Sequence, residues 1–265
     1  MSLRVRSHIP DADGVMLDIT PSSAGWVHVG FRVLKLSAGA GQSWCEPDRE
    51  TCIVMLSGRA DIIVGRTRFE GVGGRTNVFE GPPHSVYVPA GADYAITALT
   101  DCEIAVCSAP GKPGGTARLI SPDAVGEEVR GQGTNQRFVR NILPESETAD
   151  SLLVVEVVTP GGHWSSYPPH KHDRDLLPEE SFLEETYYHR LNPPQGFAVQ
   201  RVYTDDRSID ETIAVEDGDV VMVPRGYHPV GAPHGYDLYY LNVMAGPRRA
   251  WVFKNDPAHE WIIRK

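Results

Sequence analysis

The chain has 265 residues, with 35 Asp and Glu against 25 Lys and Arg, a formal net charge of −10. That balance gives a nucleic-acid backbone no reason to bind, so an anionic ligand needs a local cluster of Arg, Lys or metal. The opening M-S-L-R-V-R-S-H-I-P lacks the apolar core of a signal peptide and no run reaches transmembrane length, so a cytoplasmic protein with no membrane partner is expected.

Twenty-six glycines and 21 prolines punctuate short runs of Val, Ile, Tyr and Thr, which predicts an all-β chain with little helix. Cys45, Cys52, Cys102 and Cys107 all fall in the first half without a C-x-x-C pattern, and they read as free thiols in a reducing compartment rather than a zinc ribbon. Two landmarks recur along the chain. R-E-T-C-I-V-M-L-S-G (49–58) is echoed by E-E-T-Y-Y-H-R-L-N (184–192), and V-Y-V-P-A-G-A-D-Y (86–94) by V-M-V-P-R-G-Y-H-P (221–229). Glu50 and Asp93 are as far apart as Glu185 and His228, 43 positions in each case, so one β module occurs twice. Gly, Pro and charge dominate between the copies, over 108–118 and 123–136. The expected organisation is an N-terminal barrel over 1–120, a linker over 121–135 and a C-terminal barrel over 136–265. Six strand candidates in the second copy, at 152–159, 185–191, 197–204, 212–215, 219–223 and 237–244, suit a closed or two-sheet barrel.

The second copy concentrates the ligand chemistry. Seven of the ten histidines lie between 163 and 259. His170 and His172 are two apart, so on a strand both leave the same face. Of the adjacent Glu184 and Glu185, only one can face the same interior, and the repeat selects Glu185 by its match to Glu50. Tyr187 and His189 then face inward with it, while Glu184, Thr186 and Tyr188 face away. His228 follows a turn held by Pro224 and Gly226 that can aim its ring back into the barrel. His170, His172, Glu185 and His228 together make three imidazoles and a carboxylate, a set for one divalent transition ion, with zinc favoured over manganese and iron. The first copy has no histidine between His28 and His84, and Asp93 stands where His228 does in the second. It is therefore expected to be metal-free and structural.

The order H-x-H, then Glu, then G-x(5)-P-x-G…H resembles the cupin superfamily. The longer run N-P-P-Q-G-F-A-V-Q-R-V-Y-T-D-D-R-S-I-D-E-T (192–212), with G-Y-D-L-Y-Y-L-N-V-M-A-G-P (235–247) and N-D-P-A-H-E-W (255–261), resembles the 5-deoxy-glucuronate isomerase family of inositol catabolism, related to 5-keto-4-deoxyuronate isomerase. Two departures from the general cupin pattern stand out: about a dozen residues separate His172 from Glu185, and the last motif reads G-Y-H rather than G-x-x-H. The resemblance implies a bicupin, two tandem double-stranded β-helix (jelly-roll) barrels. It also implies aldose–ketose isomerisation of 5-deoxy-D-glucuronate to 5-dehydro-2-deoxy-D-gluconate.

A Lewis-acidic ion suits that chemistry, because it would stabilise an enediolate while a base moves the proton from C2 to C1; a hydride shift stays open. Candidates for the base are His163, Asp173, Glu184, Tyr187 and His189, with His189 and Tyr187 leading on strand period. The substrate carboxylate needs a cation, and Arg174 and Arg225 are preferred over Lys171, which alternates away from the His170/His172 face. His163 and Tyr239 complete the substrate-binding set. Exposed β edges and a spare module point to a homo-oligomer. The competing classes are a cupin iron dioxygenase, a non-catalytic sugar-acid-binding bicupin and a structural or storage bicupin.

Overall fold

A computed structural model describes residues 2–264, apart from the side chain of Arg264. Strands dominate it; among the described residues the helices are one turn, Pro21–Ala24, and three 3₁₀ turns at Pro122–Ala124, Gly133–Asn135 and Glu260–Arg264. The chain divides into two compact units that interleave in sequence: Ser7–Gly126 with Asn141–Val154, and Met1–Arg6 with Glu127–Arg140 and Val155–Lys265. The expected cuts at 120 and 135 were contiguous. The interleaving arises because the N-terminal strand Arg4–Val5 pairs antiparallel with Val220–Val223, so the first residues complete a sheet of the C-terminal unit.

The unit built on Ser7–Gly126 contains two antiparallel sheets. The six-stranded sheet runs in the order Arg118–Ile120, Ser85–Val88, Arg49–Ser57, Cys102–Pro110, Gly30–Leu36, Val15–Ile19. The four-stranded sheet runs Gly41–Cys45, Asp93–Ala98, Arg59–Val64, Thr67–Gly73. Alternation along these strands sends Leu34, Ile53, Met55, Ile62, Val86, Ile96 and Ile104 into one apolar core. Glu50 is buried in this unit without a cation. Its carboxylate accepts from Tyr87 Oη (2.6 Å) and from the backbone N–H groups of Asp150 (2.8 Å), Ser151 (2.6 Å) and Leu152 (2.6 Å).

In the other unit, the large sheet has seven strands in the order Arg4–Val5, Val220–Val223, Glu184–Asn192, Asp237–Ala245, Leu153–Thr159, Arg137–Leu143, Gly126–Arg130. The division between units falls inside Arg137–Leu143 and Leu153–Thr159. A four-stranded sheet orders Trp164–Ser165, Val230–Gly231, Ala198–Tyr203, Asp210–Val215. The strand Glu184–Asn192 is central, and register fixes what surrounds it. Glu185 lies opposite Val223 and Met244, Tyr187 opposite Val221 and Asn242, and His189 opposite Tyr240. Directly paired residues share a face, so Asn242 and Tyr240 line the same interior as Tyr187 and His189. Glu184, Thr186 and Tyr188 take the opposite face as expected, but all three are buried, so Glu184 is not a solvated carboxylate.

Candidate metal centre

His172, Glu185 and His228 converge in the interior of the C-terminal unit, each offering a ligand atom within 4.8 Å of the other two. Glu185 Oε2 stands 3.0 Å from His172 Nε2 and 3.3 Å from His228 Nε2. Each ring is turned by its other nitrogen. His172 Nδ1 bonds the Leu183 carbonyl at 3.1 Å, and His228 Nδ1 bonds the Gly226 carbonyl at 2.8 Å. A ring that donates from Nδ1 presents a lone pair at Nε2, which is the tautomer a metal ligand requires.

Local backbone explains why His228 points inward. Gly226 has φ +97°, a left-handed conformation, and a Cβ there would lie 2.6 Å from the Tyr203 carbonyl oxygen. Paired backbone bonds between Tyr203 and Tyr227 (2.9 and 2.8 Å) then pin the following residue. The H-x-H segment is held differently, through a two-residue strand His170–Lys171 paired with Lys254–Asn255. His170 lies outside the tight trio, but its ring centroid is 5.1 Å from that of His228, and it packs on Phe253 at 4.5 Å.

Electrostatics agree with a cation-binding role. Burial depresses His228 to a pKa of about 4, with the Glu185 charge opposing. His170 is pushed well below the usual imidazole range by burial and then by the neighbouring His228 and His172. Burial also disfavours charge on His172, but the hydrogen bond and charge of Glu185 outweigh it and its pKa rises. His228 Nε2 is buried and has no hydrogen-bond partner. The orphaned His228 Nε2 and the Glu185 carboxylate 3.3 Å from it are acceptors facing one another, an arrangement that a divalent cation satisfies. The residues present therefore fit such an ion.

The remaining sequence candidates separate clearly. Tyr187 adjoins the trio, its ring 5.6 Å from His228 and its hydroxyl 2.8 Å from Ser166 Oγ. His189 stacks on Tyr187 at 5.9 Å and bonds Gln200 Oε1 through Nε2 at 2.9 Å; burial lowers its pKa to about 4. Asp173 and Asp205 hold the buried Lys171 ammonium at 3.0 and 2.6 Å. Arg174 is exposed and reaches Asp205 at 3.3 Å, while Arg225 is exposed and donates to Ser208 Oγ at 3.1 Å. His163 bonds the Gln136 carbonyl at 2.8 Å. Tyr239 is placed on the outward face, where its hydroxyl and Arg140 share the buried Glu156 carboxylate at 2.9 Å each. Strand parity puts Tyr240 inward instead, 4.9 Å from Tyr187 and bonded to Ser165 Oγ at 2.5 Å. Three of the expected substrate cations thus engage neighbouring protein groups, and the expected Tyr239 gives way to its neighbour.

A cavity of about 830 Å³ opens beside this cluster, lined by His170, Arg137, Trp164, Tyr167, Phe253, Asn255 and Trp261 among others. Sequence reasoning missed Arg137 and Tyr240, because neither lies in a histidine motif and the register that turns them inward is a tertiary property.

Two antiparallel jelly-roll units in one chain, the second bearing a buried His/Glu cluster, define a bicupin. Residues 3–262 match the KduI/IolB family. The chain is 59% identical over 262 residues to a 5-deoxy-glucuronate isomerase of Geobacillus kaustophilus, covering 98% of this chain and 95% of that protein. It is 52% identical over 258 residues to the 5-deoxy-glucuronate isomerase of Bacillus subtilis, covering 96% and 95%. Among solved structures, an IolB-like protein from Salmonella typhimurium superposes with a TM-score of 0.96 at 52% identity, covering 99% of this chain and 100% of that one. An oxalate decarboxylase from Lactobacillus farciminis shares the fold, with a TM-score of 0.66 at 14% identity and coverage of 96% and 88%. This chain belongs to the KduI/IolB family. No helix among its described residues is long and apolar enough to cross a membrane.

Proposed function

We propose that this chain is a metal-dependent aldose–ketose isomerase that converts 5-deoxy-D-glucuronate to 5-dehydro-2-deoxy-D-gluconate in inositol catabolism. The observation that carries the reading is the convergence of His172, Glu185 and His228 beside a cavity, in a chain so similar to relatives of that name. His172, His228 and Glu185 hold the ion, and His170 joins them from the cavity side. Borderline nitrogen donors with one carboxylate favour zinc, ahead of manganese and iron. A divalent ion bound there supplies Lewis acidity to the substrate's carbonyl.

The chain's own residues do the rest. The Glu185 carboxylate lies between two imidazoles whose Nδ1 atoms are tied to backbone carbonyls, so the donor set is preorganised. The Tyr187 hydroxyl, fixed by Ser166 and raised far above its ordinary pKa by burial, stays protonated and donates to a substrate oxygen. We assign it the role of general acid, giving its proton to the carbonyl oxygen as the enediol forms. His189, tied to Gln200 one layer deeper along the strand, stays neutral and lines the barrel. The proposed substrate is a small sugar acid, the proposed location the cytoplasm and the proposed assembly a homo-oligomer.

Proton NMR of 5-deoxy-D-glucuronate with the metal-loaded protein in D₂O tests the reading. Formation of the ketose with solvent deuterium at C1 is expected, and Tyr187→Phe should cut kcat by at least about a hundredfold, the scale of a lost general acid–base. No ketose would reject the isomerase. Oxygen uptake by iron-loaded protein would favour a cupin dioxygenase in its place.

A further inference from the structure

Arg137, the first residue of the strand Arg137–Leu143, stands in the wall of the same cavity as His170. Its Nη1 donates to the carbonyls of Asn135 (3.1 Å) and Tyr167 (3.4 Å), which fixes the plane of the guanidinium. Among the described residues its Nε and Nη2 have no partner, and no carboxylate comes within ion-pair distance. The nearby Glu128 is held by Arg130 at 2.5 Å. Other cations around the site are engaged: Lys171 with Asp173 and Asp205, Arg174 with Asp205, Arg140 with Glu156. A half-buried guanidinium without an anion is costly, and a fork of N–H donors suits a carboxylate.

Arg137 stands beside the cluster, in the cavity wall that His170 also lines. Burial lowers its own pKa, and the Arg130 charge adds to this while Tyr240, Tyr187 and Glu128 oppose. Trp164 and Tyr167, with ring centroids 5.4 Å apart, and Trp261 supply apolar walls to the cavity, the two indoles being exposed. Asn255 lies opposite His170 in strand register and offers an amide for hydroxyls between the two ends.

We propose that Arg137 is the specificity-determining residue that binds the carboxylate of the sugar-acid substrate, in the wall of the cavity that His170 also lines. The identity of the acid rests on the isomerase reading above; the anion site itself does not. A six-carbon acid then lies with its carboxylate on Arg137 and its carbonyl end toward His170, so the cavity selects acids over neutral sugars. Arg174 and Arg225 take no part.

The test uses the substrate reduced at C1, which cannot isomerise, as the free acid and as its primary amide. Calorimetry on metal-loaded protein should find the acid about 10- to 100-fold tighter than the amide, the loss expected for one charge-assisted interaction. Arg137→Gln should bind both with the affinity of the amide. Persistence of the preference in Arg137→Gln, or its absence in the wild type, overturns the proposal. Phenylglyoxal labelling of the wild-type protein supplies a check that needs no variant. The acid, and not the amide, should protect Arg137; equal labelling with either ligand overturns the assignment. A wild-type protein that binds the acid through Arg137 but forms no ketose would remove the isomerase reading and leave this site standing.

Discussion

Glu50→Gln is the sharpest test of the N-terminal unit's structural role. The residue stands where Glu184 does in the second copy, because Thr51 pairs with Val88 as Glu185 pairs with Val223, and its neighbours are a tyrosine and three backbone amides rather than imidazoles. Its two oxygens accept two bonds each, so the carboxylate ties the segment 150–152 to the strand Arg49–Ser57. Glutamine keeps one acceptor oxygen and turns an NH₂ group toward two donors. Two charge-assisted bonds at about 1.5–3 kcal/mol each are worth about 3–6 kcal/mol. Relief from burying a charge returns part of that, for a net loss of about 2–4 kcal/mol. With a urea dependence of about 2 kcal/mol per molar, the midpoint should fall by about 1–2 M. Trp26 and Trp44 lie in this unit and report the transition by fluorescence. Tyr87→Phe, which removes one donor of four, should cost about 1 kcal/mol. An unchanged midpoint in Glu50→Gln would refute the claim that this carboxylate anchors the unit.

Further expectations concern the second unit and the thiols. Gly226→Ala strains a left-handed residue against the Tyr203 carbonyl; it should cost about 1–3 kcal/mol and weaken metal affinity, and unchanged affinity would detach His228 from that turn. His189 is buried with a pKa of about 4, below the ordinary value near 6.5. The unfolded chain therefore takes up the proton first, and stability is lost as pH falls from about 6.5 to about 4, by about 3 kcal/mol over the interval. His189→Gln should flatten that slope in urea titrations, whereas an unaltered slope would assign it to other groups. Burial pushes the thiols of Cys52 and Cys102 up to about 12 and about 11, and Cys107 well above its ordinary value, while Cys45 is exposed. A thiol reagent should label one cysteine per native chain, slowly because the Asp93 hydrogen bond raises the Cys45 pKa, and Cys45→Ser should abolish the reaction.

Much of this is legible in the sequence, and the reason is periodicity. Strand alternation placed Glu185, Tyr187 and His189 on one face, and the register has them there; the 43-residue repeat matched Glu185 to Glu50, whereas the counterpart by register is Thr51, which pairs with Val88 as Glu185 does with Val223. The turn glycine before His228 was readable because a left-handed residue there has few substitutes. What failed was parity and pairing between segments distant in sequence. Nothing in Y-Y (239–240) says which tyrosine faces inward until the strand is registered against Glu184–Asn192. Basic residues next to ligand motifs looked like substrate clamps, but adjacency in sequence said nothing of Asp205, which engages Lys171 and Arg174 from 30 or so positions away. Arg137 lies outside every motif and was invisible for the same reason. The interleaved units were equally hidden, since a two-residue strand at Arg4–Val5 has no periodicity of its own.

Titration of metal-free protein with a divalent ion, scored for both bound metal and ketose formation by NMR, tests the central claim most directly. The account predicts that activity rises in proportion to occupancy and saturates at one ion per chain, and that His228→Ala neither binds the ion nor turns over substrate while keeping its strand-rich circular dichroism. Full turnover by the metal-free protein, or unchanged stoichiometry and rate in His228→Ala, would contradict it.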